Sequence, residues 1–378
     1  MNIMIDNAVP LNNGDAALIF SLGDELEALG HSITYSTFQL KKVRKSYPNK
    51  NWTASFLSTK WINHIPGIRF LYYCLRILCS SVVKKQDLVI SAPGGYINSY
   101  YGFKKKLLVL SLYKRLLGIN IVMFSQSVGP LNQKDEKVLQ QYLPYFSKFL
   151  VRDDISYERI YALIEKEELI VKTFDAAFLS QPTGYSNNLP NQRIAISVRS
   201  WTFDNRSQDL YRGLIRDVVE ELVGNGFEVV FLSTCQGDKD YVDDSIEANR
   251  IYQTLSNELK QSVTVDSNLY TLSELKNKIK KFDYVIGTRL HMCILAWLSG
   301  VPAFNISYEE KGKECYRYLG LEKYTIDYNE SQTYRSKIIS FLTMNQEEKQ
   351  THFSKIDTIH QRMNDILRQV LTELTTTV

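Results

Sequence analysis

Arg289 and His291 stand two residues apart in Asp283-Tyr-Val-Ile-Gly-Thr-Arg-Leu-His291, directly after a run that reads as a buried strand. The apolar stretch Met292 to Leu298 and then Gly300-Val301-Pro302 follow, which predicts a tight turn at Gly287-Thr288 and a helix from near Leu290 to Gly300. The first turn of a helix presents backbone N–H groups with no partner inside the helix. A fixed cation and an imidazole beside such donors suit a phosphate or carboxylate with a proton donor attached.

Other residues of the right types stand at the ends of expected strands. Arg199 closes the strand Arg193 to Val198, where a lone arginine is ordinarily a surface residue. Asn12-Asn13-Gly14-Asp15 sits at a strand-to-helix junction, where Gly14 lets the backbone approach a ligand and Asn or Asp equally well caps the helix. Pro93-Gly94-Gly95-Tyr96 and Ser125-Gln126-Ser127-Val128-Gly129-Pro130 follow two further strands, and spacing alone favours a plain tight turn at Gly94-Gly95. Arg152-Asp153 and Asp175 also end strands, and an Arg–Asp pair there more often orders a loop than binds a ligand. Lys311 and Lys313 lie in Tyr308-Glu-Glu-Lys-Gly-Lys313, which reads as a solvated charged loop. No G-x-G-x-x-G follows the first strand, and there is no P-loop.

The elements that must position these residues alternate as strand and helix along the chain. Strands are expected at Asn2 to Ile5, Ser32 to Phe38, Asp87 to Ala92, Asn120 to Ser125, Phe149 to Val151 and Leu169 to Phe174. Helices are expected from Asp15 to about Leu29, Lys104 to Leu117 and Asp154 to Ile164. The alternation restarts after Gln181 to Gln192, a linker rich in Pro, Gly, Asn and Ser. Strands at Arg193 to Val198, Phe227 to Ser233, Val263 to Asp266 and Ala303 to Ile306 then interleave with helices at Asp209 to Val223, Tyr241 to Leu259 and Thr271 to Lys281. A long terminal helix spans Glu347 to Leu374. This pattern predicts two α/β domains of Rossmann-like type with parallel sheets, residues 1–182 and 191–378, the terminal helix packing back on the first. Ligands of such sheets bind at strand carboxyl ends, so one site in a cleft with residues from both domains is expected.

Composition bounds the partners. A net charge of +4 over 378 residues is far below that of a nucleic-acid binder. Five scattered cysteines without a C-x-x-C read as reduced thiols of a cytoplasmic protein. Five histidines with no metal-site spacing give no reason to expect a metal. No secretory leader and no membrane span are expected, since Ile68 to Val83 is interrupted by Arg69 and Arg76. The surrounding stretch, Trp61 to Lys85, is both aromatic and basic. It reads first as a buried helix with two surface arginines, and second as an interfacial helix that brings the protein to the inner face of a membrane and a lipid-linked substrate.

Taken in order, these motifs resemble the polysaccharide pyruvyl transferase family. The resemblance rests on Asn13-Gly14-Asp15-x-Ala17-Leu18, Gly94-Gly95, Ser127-Val128-Gly129-Pro130, Val151-Arg152-Asp153-x-x-Ser156 and Asp175-x-Ala177-Phe178. It continues through Gly287-Thr288-Arg289-Leu290-His291, Gly300-Val301-Pro302, Tyr308-x-x-Lys311 and Leu319-Gly320-Leu321. Single motifs are weak, but the ordered set from about residue 10 to residue 321 is specific. It implies a GT-B-like fold and transfer of the pyruvyl group of phosphoenolpyruvate (PEP), a substrate and not a cofactor, to two hydroxyls of one sugar.

The resemblance further implies that Arg289, Leu290 and His291 contact PEP. Arg199 is the second arginine of the donor site, with Arg152 in reserve and Lys311 as an added cation. Asn13, Gly14, Gly94, Gly95, Asn98 and Ser127 would line the cleft on the acceptor side. Such proteins often carry an Asp about four residues after Gly-Gly, where this chain has Ser99, so a general base must come from elsewhere, with Asp15 as the candidate. Two other readings remain at this point: a GT-B glycosyltransferase using a nucleotide sugar, and a non-catalytic glycan-binding relative.

Overall fold

The computed structural model describes residues 1–378 except 59–65, 165, 186–190, 203–204, 237–241, 330–331 and 377–378. The chain forms two compact units. The first comprises Met1–Leu11, Leu18–Leu179 and Gln361–Val378, and the second Asn12–Ala17 and Ser180–His360. The segment Asn12–Ala17 thus groups with the second unit, although it precedes most of the first in sequence.

The first unit is built on eight parallel strands: β1 (Asn2–Asp6), β2 (Ser32–Thr37), β3 (Trp52–Ala54), β4 (Leu88–Ser91), β5 (Gly94–Ile97), β6 (Asn120–Val128), β7 (Lys148–Val151) and β8 (Ile170–Lys172). They run in the order β3-β2-β1-β4-β6-β7-β8, with β5 paired to β6. Its helices are α1 (Asn13–Ala28), whose first turn belongs to the second unit, α2 (Leu40–Ser46), α3 (Pro66–Cys79), α4 (Ser81–Lys84), α5 (Lys104–Leu117), α6 (Gln133–Tyr142) and α7 (Asp154–Ile164). Central strands such as β4 are buried at every position, which is why they read as continuous apolar runs and not as alternating ones. Local chemistry sets several ends: Asn132 accepts from the Asp135 N–H to cap α6, and Gly118, at φ 72°, ends α5 in the left-handed region.

The second unit has six parallel strands: β9 (Arg193–Ser197), β10 (Glu228–Phe231), β11 (Val263–Val265), β12 (Tyr284–Gly287), β13 (Ala303–Ser307) and β14 (Thr325–Asp327). Their order is β11-β10-β9-β12-β13-β14, the doubly wound order that reverses between the first and fourth strands. Around them lie α8 (Gln208–Gly224), α9 (Asp244–Thr254), α10 (Leu272–Ile279), α11 (Leu290–Leu298), α12 (Glu310–Tyr318), α13 (Tyr334–Leu342) and α14 (Gln346–Thr376). A capping box joins Thr271 and Glu274 at the start of α10.

The long α14 serves both units. In the second, Phe353 lies 5.0 Å from the Trp297 ring. In the first, Met363 Sδ accepts from Thr173 Oγ1 at 2.9 Å, and Glu373 pairs with Lys148 at 2.8 Å. Among the described residues no helix is long and apolar enough to cross a membrane.

Four expectations change. Gly94-Gly95 opens strand β5 and is not a plain turn, because Gly94, at φ 151°, swings the chain to pair with Gln126 of β6. The segment with Lys311 and Lys313 is the start of α12 and not a loop, since Gly312, Cys315 and Tyr316 give it a buried stripe. The helix expected at Tyr241 to Leu259 is shorter, running from Asp244 to Thr254 behind the cap of Asp243. Within 61–85, residues 61–65 lie outside the described residues, and α3 is not a buried helix: Ile68, Leu71 and Leu75 are each more than half exposed.

Candidate functional site

In the second unit the strand order reverses between β9 and β12, whose carboxyl ends carry Arg199 and Arg289. Ser197 pairs with Gly287 in register, and the Thr288 N–H donates to the Ser197 carbonyl at 2.7 Å. A β-carbon at position 287 would lie 2.5 Å from Cys293 Sγ, so glycine is what lets α11 fold back so tightly on its strand. Arg289, in an extended conformation, is the residue preceding α11, and His291 is in the helix's first turn.

The Arg289 guanidinium is locked. Its Nε donates to Asp244 Oδ2 at 2.6 Å and its Nη2 to Asp244 Oδ1 at 2.7 Å, a bidentate pair at the start of α9. Asp244 is buried, and Ser233 Oγ donates to it at 2.9 Å. Burial opposes the Arg289 charge, but Asp244 outweighs burial and holds the guanidinium pKa above its ordinary value.

Arg199 is held differently. Its N–H donates to the Tyr211 hydroxyl at 3.2 Å and its carbonyl accepts from the Tyr328 hydroxyl at 3.1 Å. Those two tyrosine rings stack at 4.0 Å and 6°. The guanidinium lies over the rings of Trp201 (5.1 Å) and Tyr308 (4.7 Å), and Nη1 donates to the Tyr308 hydroxyl. Its Nε is buried and finds no acceptor among the described residues. Burial pushes the Tyr308 hydroxyl up to about 12, so it stays a neutral donor.

The Asn12–Ala17 segment completes this neighbourhood. The Asn13 N–H donates to the Thr234 carbonyl and Asn13 Nδ2 to the Tyr270 carbonyl. Gly14 abuts His291: a β-carbon there would lie 2.8 Å from Nδ1 and 3.1 Å from the histidine Cβ. Asp15 accepts from Asn12 Nδ2 at 2.7 Å. Burial pushes the Cys235 thiol up to about 12, with Arg289 and Arg199 pulling it down and Asp244 and Asp15 adding to the rise. Lys311 is tied to Glu309 at 2.7 Å.

The expected residues of the first unit divide into engaged and open. Ser127 Oγ donates to Asp153 and accepts from Arg152 Nε, while Arg152 Nη1 pairs with Asp175 at 2.6 Å, both partners buried. This network ties the ends of β6, β7 and β8 together, which gives Arg152 a structural position. Asn98 bonds the Gly95 carbonyl and the N–H groups of Tyr100 and Tyr101. Ser99 donates to Asp135, which Lys104, Ser99 and Asn132 hold below the usual carboxylate range.

Sequence reasoning passed over Asp6 and Asn7, at the carboxyl end of β1, where this sheet reverses its order between β1 and β4. Asp6 is 1% exposed and Asn7 7%, and among the described residues no well-formed hydrogen bond reaches the Asp6 carboxylate oxygens or the Asn7 side-chain amide. Asn7 stands at φ 63°, a conformation L residues adopt at a cost. Burial raises Asp6 to about 6, with the nearby Ser36 hydroxyl, the Asn7 backbone N–H and Lys106 holding the rise back. An acid directly after a strand was the available signal. Asp244, 45 residues before Arg289, had none.

Comparison with known proteins agrees with this architecture. Residues 12–310 match the family model for polysaccharide pyruvyl transferase. The amylovoran biosynthesis protein AmsJ of Erwinia amylovora is 27% identical over 267 residues, 65% of this chain and 62% of that protein. The match thus spans less than two thirds of the relative's length. Among solved structures, Anabaena HepE in complex with UDP-glucose superposes with a TM-score of 0.62 at 12% identity, covering 100% of both chains. S. aureus MnaA in complex with UDP gives 0.62 at 12%, covering 98% and 97%. These likenesses identify the two-sheet α/β fold as GT-B-like. With its Arg289-Leu290-His291 turn and the family pattern matched across most of its length, the chain belongs to the polysaccharide pyruvyl transferase family.

Proposed function

We propose that this transferase moves the pyruvyl group of PEP to two hydroxyls of one sugar, forming a cyclic ketal and releasing phosphate. The observation that carries the reading is the Arg289–His291 turn, where an anchored guanidinium, a helix start and an imidazole beside Gly14 fall within three residues. PEP is a compact trianion, and Arg199 supplies a second cation whose Nε still lacks an acceptor. Asp244 orients Arg289 through two bonds, and its outer edge meets the donor. Lys311, partly neutralised by Glu309, contributes long-range charge.

His291 delivers a proton to the PEP methylene carbon, which becomes the methyl group and leaves C2 electrophilic. One sugar hydroxyl bonds to C2 and gives up its proton. The C2–O bond to phosphate breaks, phosphate leaves with its electron pair, and the second hydroxyl closes the ring. Of the two hydroxyl protons, one balances the proton taken up by the methylene and the other leaves on phosphate. Asp15, beside His291 through Gly14, is the carboxylate we assign to proton removal. Asp6 and Asn7, together with Gly94 and Gly95, suit a sugar, because hydroxyls donate to a carboxylate and pair with both ends of an amide.

PEP-dependent phosphate release against a panel of lipid-linked and free hexosides, with mass spectrometry of the product, tests the reaction. Release of nucleotide from a UDP-sugar with no turnover of PEP would replace it with glycosyl transfer. His291→Ala is expected to lower turnover by roughly 10² or more with the fold intact. Arg289→Ala should chiefly raise the KM for PEP.

A further inference from the structure

The helix α3 is apolar on two opposite sides. Tyr73 and Ile77 point into the core of the first unit, where the helix packs on α5. On the other side Ile68, Leu71, Leu75 and Leu78, spaced by three, four and three residues, form a strip that is 55, 59, 54 and 40% exposed. Phe70 is 41% exposed, and Val82 of α4 is 38% exposed. Four large apolar side chains in line on a water-exposed helix face are a surface with a missing partner, not scattered exceptions.

The charge around this strip says what the partner is. Residues 28–134 hold sixteen Lys and Arg and a single acid, Asp87, whereas the rest of the chain holds 29 basic and 40 acidic residues. The mild overall charge of +4 therefore conceals a strongly basic section that lies wholly in the first unit, with α3 in its middle. Arg76, Lys84 and Lys85 are exposed on or just after the helix. A second copy of the chain would bring the same basic section against itself, and like charges facing across a two-fold interface repel.

We propose that the strip Ile68–Leu71–Leu75–Leu78 and its basic flanks dock the protein on an anionic lipid bilayer, with the apolar side chains entering the headgroup boundary. The geometry is that of an interfacial helix: apolar side toward the acyl chains, cations level with the lipid phosphates. The inference is independent of the reaction proposed above, since it concerns binding to lipid without substrate.

The test is flotation of the full chain with vesicles of phosphatidylglycerol and phosphatidylethanolamine, and with vesicles of phosphatidylcholine alone. Binding is expected on the anionic vesicles only, weakening as salt screens the cations. The double variant Leu71→Ser/Leu75→Ser should bind roughly tenfold or more weakly, with its melting temperature unchanged or raised because both positions are exposed. Lys84→Glu/Lys85→Glu should weaken binding by roughly 25-fold or more, about fivefold for each lost cation. Equal binding to neutral vesicles, no binding to either, or binding indifferent to Leu71→Ser/Leu75→Ser would overturn the proposal. So would sedimentation of the free protein as a dimer that this double variant dissociates, since the strip would then belong to a second copy.

Discussion

Both sheets reverse their strand order at equivalent places, between β1 and β4 in the first unit and between β9 and β12 in the second, yet the charge of what each place leaves unpaired differs. At the second, the Nε–H of Arg199, a cationic donor, is buried with no acceptor among the described residues. At the first, the groups are the carboxylate of Asp6 and the amide of Asn7. A buried group left unmet costs the fold stability unless a ligand completes it. An unmet cation selects for an anion, and an unmet carboxylate selects for hydroxyl donors. On the function proposed above, the second reversal would take the anion and the first the sugar hydroxyls.

The sharpest way to break this contrast is at Asp244. Removing it by Asp244→Ala leaves the largely buried Arg289 without its counter-charge, and thermal or denaturant unfolding should show a loss of about 3–5 kcal/mol. If stability were unchanged, the pair would not be what fixes the cation.

The reverse sign is expected at Asp6. Its folded pKa, about 6, lies above the ordinary 3.8, so the folded state keeps its proton to higher pH than the unfolded chain does. Stability therefore falls as pH rises from about 4 to about 6 and is flat above. Asp6→Asn should flatten that slope and stabilise the fold at pH 7 by on the order of 2–3 kcal/mol, while raising the KM for the acceptor. A variant that is stabilised with unaltered kinetics would sharpen the contrast by keeping the strain and discarding the sugar.

The smallest effect belongs to Gly14→Ala. Its methyl group would meet the His291 ring at 2.8 Å, so the imidazole must move. Turnover should drop by roughly tenfold with little change in melting temperature. Full activity would mean that the ring's present position is not the working one.

Much of the architecture was legible because buried parallel strands and amphipathic helices leave strong periodic signals. The expected bounds of α5 and α7, Lys104 to Leu117 and Asp154 to Ile164, are those observed. Strands β3 and β14, Trp52-Thr-Ala54 and Thr325-Ile-Asp327, hold one large apolar side chain apiece and so show no apolar run. Helix α12 was hidden because its solvent face, Glu310, Lys311, Lys313 and Glu314, dominates the local composition. Among the candidate site residues, Arg289 and His291 are visible in the sequence because they share one strand-to-helix turn. Asp244, Tyr211 and Tyr328 come from three other elements and nothing local announces them, whereas Tyr308 was visible only as part of the Tyr308-x-x-Lys311 motif.

The stacked pair Tyr211 and Tyr328 gives the Arg199 peptide an unusual status. Its amide hydrogen is held by a phenol oxygen and not by a strand neighbour, so its exchange with solvent deuterium reports on the stack and not on the sheet. A single amide between β9 and α8 can therefore serve as a clock for the arginine's readiness, slowing when the rings stay closed over it. Tyr211→Phe, which keeps the ring and removes the acceptor, would set that clock free while β9 itself remained protected.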